Sequence, residues 1–267
     1  MGICFDISTV KDIIEISPRA LKIMRNLQFL WIYNTRRDTN IRVHVPENID
    51  FPPRLKLLHW EEYPGKCLPH TLRPEHLVEL NLENSKLKHL WEGTQPLGNL
   101  KKLTLTSSFN LEKLPDLANA TNLEILDVNY CENLVEIHSS VGNLHKLEKL
   151  QMDRCRNLQV VPTLSNLASL QRVSIAGCEQ LRKLPDISTT ITDLRIVDTM
   201  LEEFTASIRL CSRLKSLYII GSAIPHSNQN IWLYFPPIFL GKMNSTERYC
   251  SNSAAHPRSS KLLNVVS

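Results

Sequence analysis

Seven cysteines and nine histidines are the side chains of this sequence best suited to ligate a metal, close a disulfide or act as nucleophile and base. Their spacing speaks against each role. No C-x-x-C pair occurs, the histidines are scattered, and the run CLPH at Cys67 and His70 lacks a second pair of ligands. Phosphate loops of the form GxxxxGK[ST], GxSxG elbows, HExxH helices and GxGxxG turns are absent too. The sequence therefore predicts no enzyme, no cofactor and no metal. What sets Cys131 apart is its place at the end of a run of alternating apolar residues, TNLEILDVNYC, residues 121 to 131.

That run recurs. Leu77-Val-Glu-Leu80-Asn-Leu82, Leu100-Lys-Lys-Leu103-Thr-Leu105, Leu123-Glu-Ile-Leu126-Asp-Val128 and Leu147-Glu-Lys-Leu150-Gln-Met152 share one pattern. Leu170-Gln-Arg-Val173-Ser-Ile175, Ile191-Thr-Asp-Leu194-Arg-Ile196 and Leu214-Lys-Ser-Leu217-Tyr-Ile219 continue it, and weaker copies begin at Leu27 and Leu55. After a first interval of 28 residues, every step is 21 to 24. An LxxLxL core at that period is the signature of a leucine-rich repeat, one short strand plus a return loop per unit. The predicted fold is an α/β repeat: a solenoid with a parallel sheet on its concave face and an irregular or short-helical convex side. Pro115, Pro162 and Pro185, each fifteen residues after a first leucine, favour an extended return over a long helix.

Within LxL the two apolar side chains share one face and the residue between them points the other way. The outward ladder then includes Asn81, Glu83, Thr104, Thr106, Asp127, Asn129, Gln151, Asp153, Ser174, Arg195 and Tyr218. These are the candidate protein-binding residues, because stacked coils present them as one extended surface. Eight places after each first apolar residue stand Thr35, Tyr63, Ser85, Ser108, Cys131, Cys155, Cys178, Thr199 and Ser222, all but one small and carrying an O–H or S–H donor. Buried backbone carbonyls where the chain leaves the strand would need such donors. The thiols are accordingly expected to be structural. Parallel projection from successive coils suits neither zinc nor a disulfide, whose Cβ atoms must approach to about 3.8 Å.

Composition narrows the partners. With 31 basic and 27 acidic residues among 267, the net charge of +4 is too small to nominate a nucleic acid. The longest apolar run, IWLYFPPIFLG at 231 to 241, is about half a membrane span, so no membrane crossing is expected. MGICFDISTV lacks the flanks of a signal peptide, and Asp6 stands where a myristoylation signal needs Ser or Thr. An odd cysteine count at wide spacing fits a reducing, intracellular compartment.

The segments ALKIMRNLQFLWIY (20 to 33), PPRLKLLHWEEYPGKCLP (52 to 69), HLVELNLENSKLKHLWEGTQPLGNLKKL and its continuation to residue 150, and LPDISTTITDLRI (184 to 196) carry a likeness. The sequence resembles the leucine-rich-repeat region of plant TIR-type nucleotide-binding disease-resistance proteins from about Gly2 to Gly221. The resemblance implies an intracellular immune receptor, cytoplasmic or nucleo-cytoplasmic. Its repeats would sense a pathogen effector or a guarded host protein and restrain a nucleotide-binding switch. Neither a TIR nor a nucleotide-binding module is expected in these residues, and GICFDIST resembles the end of the switch module running into the repeats. The expected organisation is a residual linker at 1–20, the repeat domain at 21–222 and an atypical, disordered tail at 223–267, which carries +3 of the net charge. An alternative expectation is a truncated regulatory or decoy fragment that docks on the nucleotide-binding module of a related receptor.

Overall fold

The computed structural model describes residues 1–9, 13–35, 43–202, 205–220 and 263–266. Eleven strands form one sheet. In chain order they are β1 (Gly2–Asp6), β3 (Phe29–Tyr33), β5 (Leu57–Trp60), β6 (Glu79–Asn81), β7 (Lys102–Thr104), β8 (Ile125–Asp127), β9 (Lys149–Gln151), β10 (Arg172–Ala176), β11 (Asp193–Val197), β12 (Ser216–Ile220) and β13 (Leu263–Val266). Each pairs with its predecessor in that series, in parallel, except that β13 runs antiparallel to β12. β2 (Ile14–Glu15) and β4 (Val43–His44) form a separate two-stranded pair on the return side. The predicted solenoid is what is observed.

The register explains the repeat length. Leu80, Leu103, Leu126, Leu150, Val173, Leu194 and Leu217 are consecutive partners, so the second leucine of every copy stacks on that of the next. In the copy that begins at Leu123, the side chains of Leu123, Leu126, Val128, Cys131, Leu134, Ile137, Val141 and Leu144 all point inward and are at most 2% exposed. Burying one such leucine is worth about 2 kcal/mol relative to leaving it in water. No coil encloses a core alone; each inner row is sealed by the rows above and below. Near the start, where the interval is widest, the indole of Trp60 packs edge-on against Phe51 and Tyr63, at 6.3 and 5.2 Å between ring centroids. These rings fill space that leucine alone would leave empty.

Among the described residues the convex side holds no α-helix, only 3₁₀ turns such as Ser139–Asn143 and Ala206–Leu210. His138 Nδ1 and Thr205 Oγ1 cap them by accepting from the amides of Ser140 and Ser207. Two isolated parallel bridges, Lys113 with Glu136 and Glu136 with Val160, tie neighbouring returns together.

Two ends differ from the expectation. The segment read as a linker contributes β1, a tenth parallel strand, because Gly2-Ile-Cys-Phe-Asp6 alternates just enough to pair residue for residue with Phe29–Tyr33. Beyond Ile220, the strand at Leu263–Val266 pairs with β12 and covers an edge whose N–H and C=O groups would otherwise be unpaired. The remainder of the tail expected to be disordered, 223–262 and 267, lies outside the described residues, as do 221 and 222.

The exits of β5 to β11 each use one residue in the left-handed region. Glu62, Asn84, Ser107, Tyr130, Arg154, Gly177 and Asp198 have φ between 47 and 68° and occupy the same place in successive copies. The amide of each of the first six donates to a carbonyl of the following coil, as in Asn84 N to Thr106 O and Ser107 N to Asn129 O, both 2.8 Å. Non-glycine residues at such φ cost about 1 kcal/mol or more, which the surrounding ladder offsets. Gly177 is the one position where that cost is relieved, and a Cβ there would meet Arg154 Cγ at 3.3 Å. Gly177→Val is expected to lower unfolding stability by about 1–2 kcal/mol. Ser107→Gly should leave it equal or higher, and urea unfolding of both variants reads the difference.

Candidate protein-interaction face

The strand alternation sends three columns of side chains to the concave face. The first runs Phe29, Leu57, Glu79, Lys102, Ile125, Lys149, Arg172, Asp193 and Ser216, and the second Trp31, His59, Asn81, Thr104, Asp127, Gln151, Ser174, Arg195 and Tyr218. The third, one step past the strands, contains Glu61, Glu83, Thr106, Asn129 and Asp153. All eleven residues singled out in the sequence fall in the second and third columns. The first column was missed, although period-two alternation carried one residue back from LxL would have found it. Also missed was the aromatic start of the face, where the repeat is weakest.

Several of the anticipated residues are occupied in holding the coils together. Asp153 Oδ1 accepts from Ser174 Oγ at 2.6 Å and from Ala176 N at 2.8 Å, while its Oδ2 lies 2.9 Å from Arg195 Nη1. Asp127 Oδ1 accepts from Thr106 Oγ1 and from Asn129 N, both at 3.0 Å. Asn129 Oδ1 takes the amide of Asp153 at 2.7 Å. Thr104 is only 8% exposed and its hydroxyl has no partner, so it offers a visitor little surface. Asn81, Glu83, Gln151, Ser174 and Tyr218 are half-buried and Arg195 is exposed.

One cluster of charge crosses the first two columns. Glu79 Oε1 lies 2.8 Å from Lys102 Nζ and 3.2 Å from His59 Nε2. Burial raises the Glu79 carboxyl, but the hydrogen bond from Lys102 and the proximity of His59 outweigh it and leave the group below its usual value. Burial holds the His59 imidazole below 6.5 despite the pull of Glu79. A Glu with a neutral His and a paired Lys is an electrostatic staple between coils. It has no nucleophile beside it.

The thiols are absorbed by structure as well. Cys131 Sγ donates to Leu105 O at 3.2 Å, Cys155 Sγ to Val128 O at 3.1 Å and Cys178 Sγ to Met152 O at 3.1 Å. Ser108 Oγ does the same for Leu82 O at 3.1 Å. In each case the acceptor is the carbonyl of the inward residue just past the strand of the preceding coil. Burial pushes the thiols of Cys131 and Cys178 up to about 12 and that of Cys211 to about 11, with Cys155 also well above its usual value. A proton held that firmly suits a donor and disables a nucleophile. Among the described residues no group of three His, Cys, Asp or Glu side chains is placed to hold a metal ion. Nor is any helix there long and apolar enough to cross a membrane.

Comparison with known proteins agrees with this architecture. Residues 76–95 match the family model described as Leucine Rich Repeat. The chain is 51% identical over 221 residues to disease resistance protein RML1A of Arabidopsis thaliana, and 53% identical over 221 residues to RML1B of the same plant. Those alignments cover 83% of this chain but only 22% and 21% of the relatives, so the chain spans about a fifth of their length. Disease resistance protein RPS6, also from Arabidopsis thaliana, is 44% identical over 55% of this chain and 13% of its own. Among solved structures, a plant peptide hormone receptor, RGFR1 in complex with RGF2, aligns over 81% of this chain and 51% of its own at 17% identity with a TM-score of 0.36. That likeness carries no weight in the fold, which rests on the strand register.

Two outcomes follow from these environments. Of the six described cysteines, Cys4 and Cys67 are exposed and should react with a thiol reagent at neutral pH, while Cys131, Cys155, Cys178 and Cys211 should react only after denaturation. Peptide mapping of the labelled protein reads this directly. Because His59 is held below 6.5 in the fold, the unfolded chain binds its proton first as pH falls. Its contribution is complete above 6.5 and is lost as pH drops toward the folded value. Urea midpoints between pH 7.5 and 5.5 should fall less for His59→Gln than for the parent.

Proposed function

Starting from the fact that this chain is a leucine-rich-repeat solenoid related in sequence to plant disease resistance proteins, we propose that it is a non-catalytic recognition module of plant immunity. Its concave face binds another protein: a pathogen effector, a host protein that such an effector modifies, or a module of a receptor. The observation that carries this reading is the continuous three-column face. Its side chains change from coil to coil while the backbone beneath them keeps one register. A surface of that kind can vary in specificity without disturbing the fold. The compartment we assign is the cytoplasm, in keeping with thiols that stand unpaired.

Lys149 and Arg172 stand in the first column away from the structural carboxylate bonds, Arg172 reaching Asp193 only at 3.8 Å. Lys149→Glu with Arg172→Glu should leave the thermal midpoint within a few degrees of the parent. The pair should reduce recovery of a specific partner, captured from infected plant tissue on the tagged chain, by tenfold or more. Equal recovery by parent and variant would sink the concave-face assignment.

A further inference from the structure

Deepening the concave-face reading, on which it rests, we propose that the N-terminal third of that face docks an extended, arginine-bearing segment of a protein partner. β3 turns Phe29, Trp31 and Tyr33 to the same face at alternate positions, and no other described strand carries such an aromatic row. Phe29 and Trp31 are 44% and 43% exposed. Large aromatic surface left in water on a mostly polar face is the type of anchor that partner binding covers.

The neighbours on either side shape that row. Toward the N-terminus, Gly2 is registered with Phe29 and Cys4 with Trp31, so small side chains leave a low shelf beside the rings. On the other flank His59 is registered with Trp31. The indole is braced by Tyr33, at 5.2 Å and 48°, and by the His59 ring, at 5.9 Å and 81°. With Trp31 43% exposed, part of the indole remains accessible to a flat cation.

One rim of the row is acidic. Asp6 is registered with Tyr33 on one side. On the other, the amide of Glu61 donates to Ile32 O at 2.9 Å, which sets Glu61 beside Tyr33, and the amide of Glu62 donates to Glu83 O in the next coil at 2.8 Å. Glu61 Oε2 accepts from Asn34 N at 3.2 Å, and Glu62 Oε1 from Asn34 Nδ2 at 3.0 Å. Both of those donors belong to Asn34 and carry no charge.

A guanidinium meets both features at once. It stacks on an indole or phenol face and directs its N–H fork at a carboxylate. In an extended chain alternate side chains lie about 7 Å apart, the same step that separates Trp31 from Tyr33 along β3. Arginines at every second position would therefore reach both rings. Phosphate-bearing polymers are excluded by the same acidic rim. The specific occupant is a cationic peptide in strand-like conformation.

The test uses the full chain and a fluorescein-labelled peptide alternating arginine with serine, read by fluorescence anisotropy at low and high salt. Binding should weaken at least tenfold when citrulline replaces arginine, and it should weaken with added salt. Trp31→Ala, and separately Glu61→Gln with Glu62→Gln, should each cost about tenfold in Kd, whereas Trp31→Phe should retain most of the affinity. Melting curves confirm that these surface variants fold. Equal binding of the citrulline peptide, or no loss with Trp31→Ala, would overturn the inference. Tight binding found only with Arg36→Gln and Arg37→Gln would give the site to the chain's own following segment and overturn the partner assignment. A captured partner lost on Lys149→Glu with Arg172→Glu but indifferent to Trp31→Ala would remove this inference while leaving the concave-face reading intact. Indifference to both sets would remove both.

Discussion

No coil of this protein can satisfy its own backbone, and that constraint governs the rest of the structure. A three-residue strand such as Ile125–Asp127 must share its amides and carbonyls between two neighbours: Ile125 N donates to Lys101 O and Asp127 O accepts from Leu105 N on one side, while Val128 N donates to Gln151 O on the other. The pairing fixes the register, and the register stacks Leu103, Leu126 and Leu150 into one inner row. Where pairing ends the chain still carries buried carbonyls, so a donor must follow within a few residues. Ser108, Cys131, Cys155 and Cys178 supply it by reaching back to the preceding coil. The left-handed residue just before each of them sets the chain on that path.

This arrangement engages several of the residues that looked able to do chemistry. Thiols aimed at carbonyls in an apolar interior keep their protons, and the half-buried imidazole of His59 is paired with Glu79. Much of the charge on the concave face is likewise turned inward on the fold. Asp127 and Asp153 each gather donors from the adjoining copy, so they behave as rungs between coils. Replacing either would test the scaffold as much as the surface. The residues freer to meet a partner lie in the column that includes Lys149 and Arg172, and at the aromatic start of the sheet.

The two ends of the sheet differ in how they treat the same problem. At one end, Leu263–Val266 lies antiparallel along β12 and takes up its edge. At the other, β1 meets β3 on one side only among the described residues, and Phe5, an inward position by register with Ile32, is 42% exposed.

From sequence alone, the LxxLxL period determined the solenoid, the parallel sheet and the extended convex returns, because a pattern repeated at 21 to 24 residues leaves only one way to align its leucines. It also determined that Cys131, Cys155 and Cys178 serve the fold, since the same place holds Ser85 and Ser108 in other copies. It could not determine which outward residues are free. Asp153 and Gln151 both sit on outward positions of one copy, yet only packing reveals that Ser174, Ala176 and Arg195 converge on the first. Nor could it place Gly2–Asp6 in the sheet, for a strand of mixed polarity is recognised by its partner's register more than by its own pattern. Local periodicity fixes what repeats; contacts between one coil and the next decide what each repeated position is left to do.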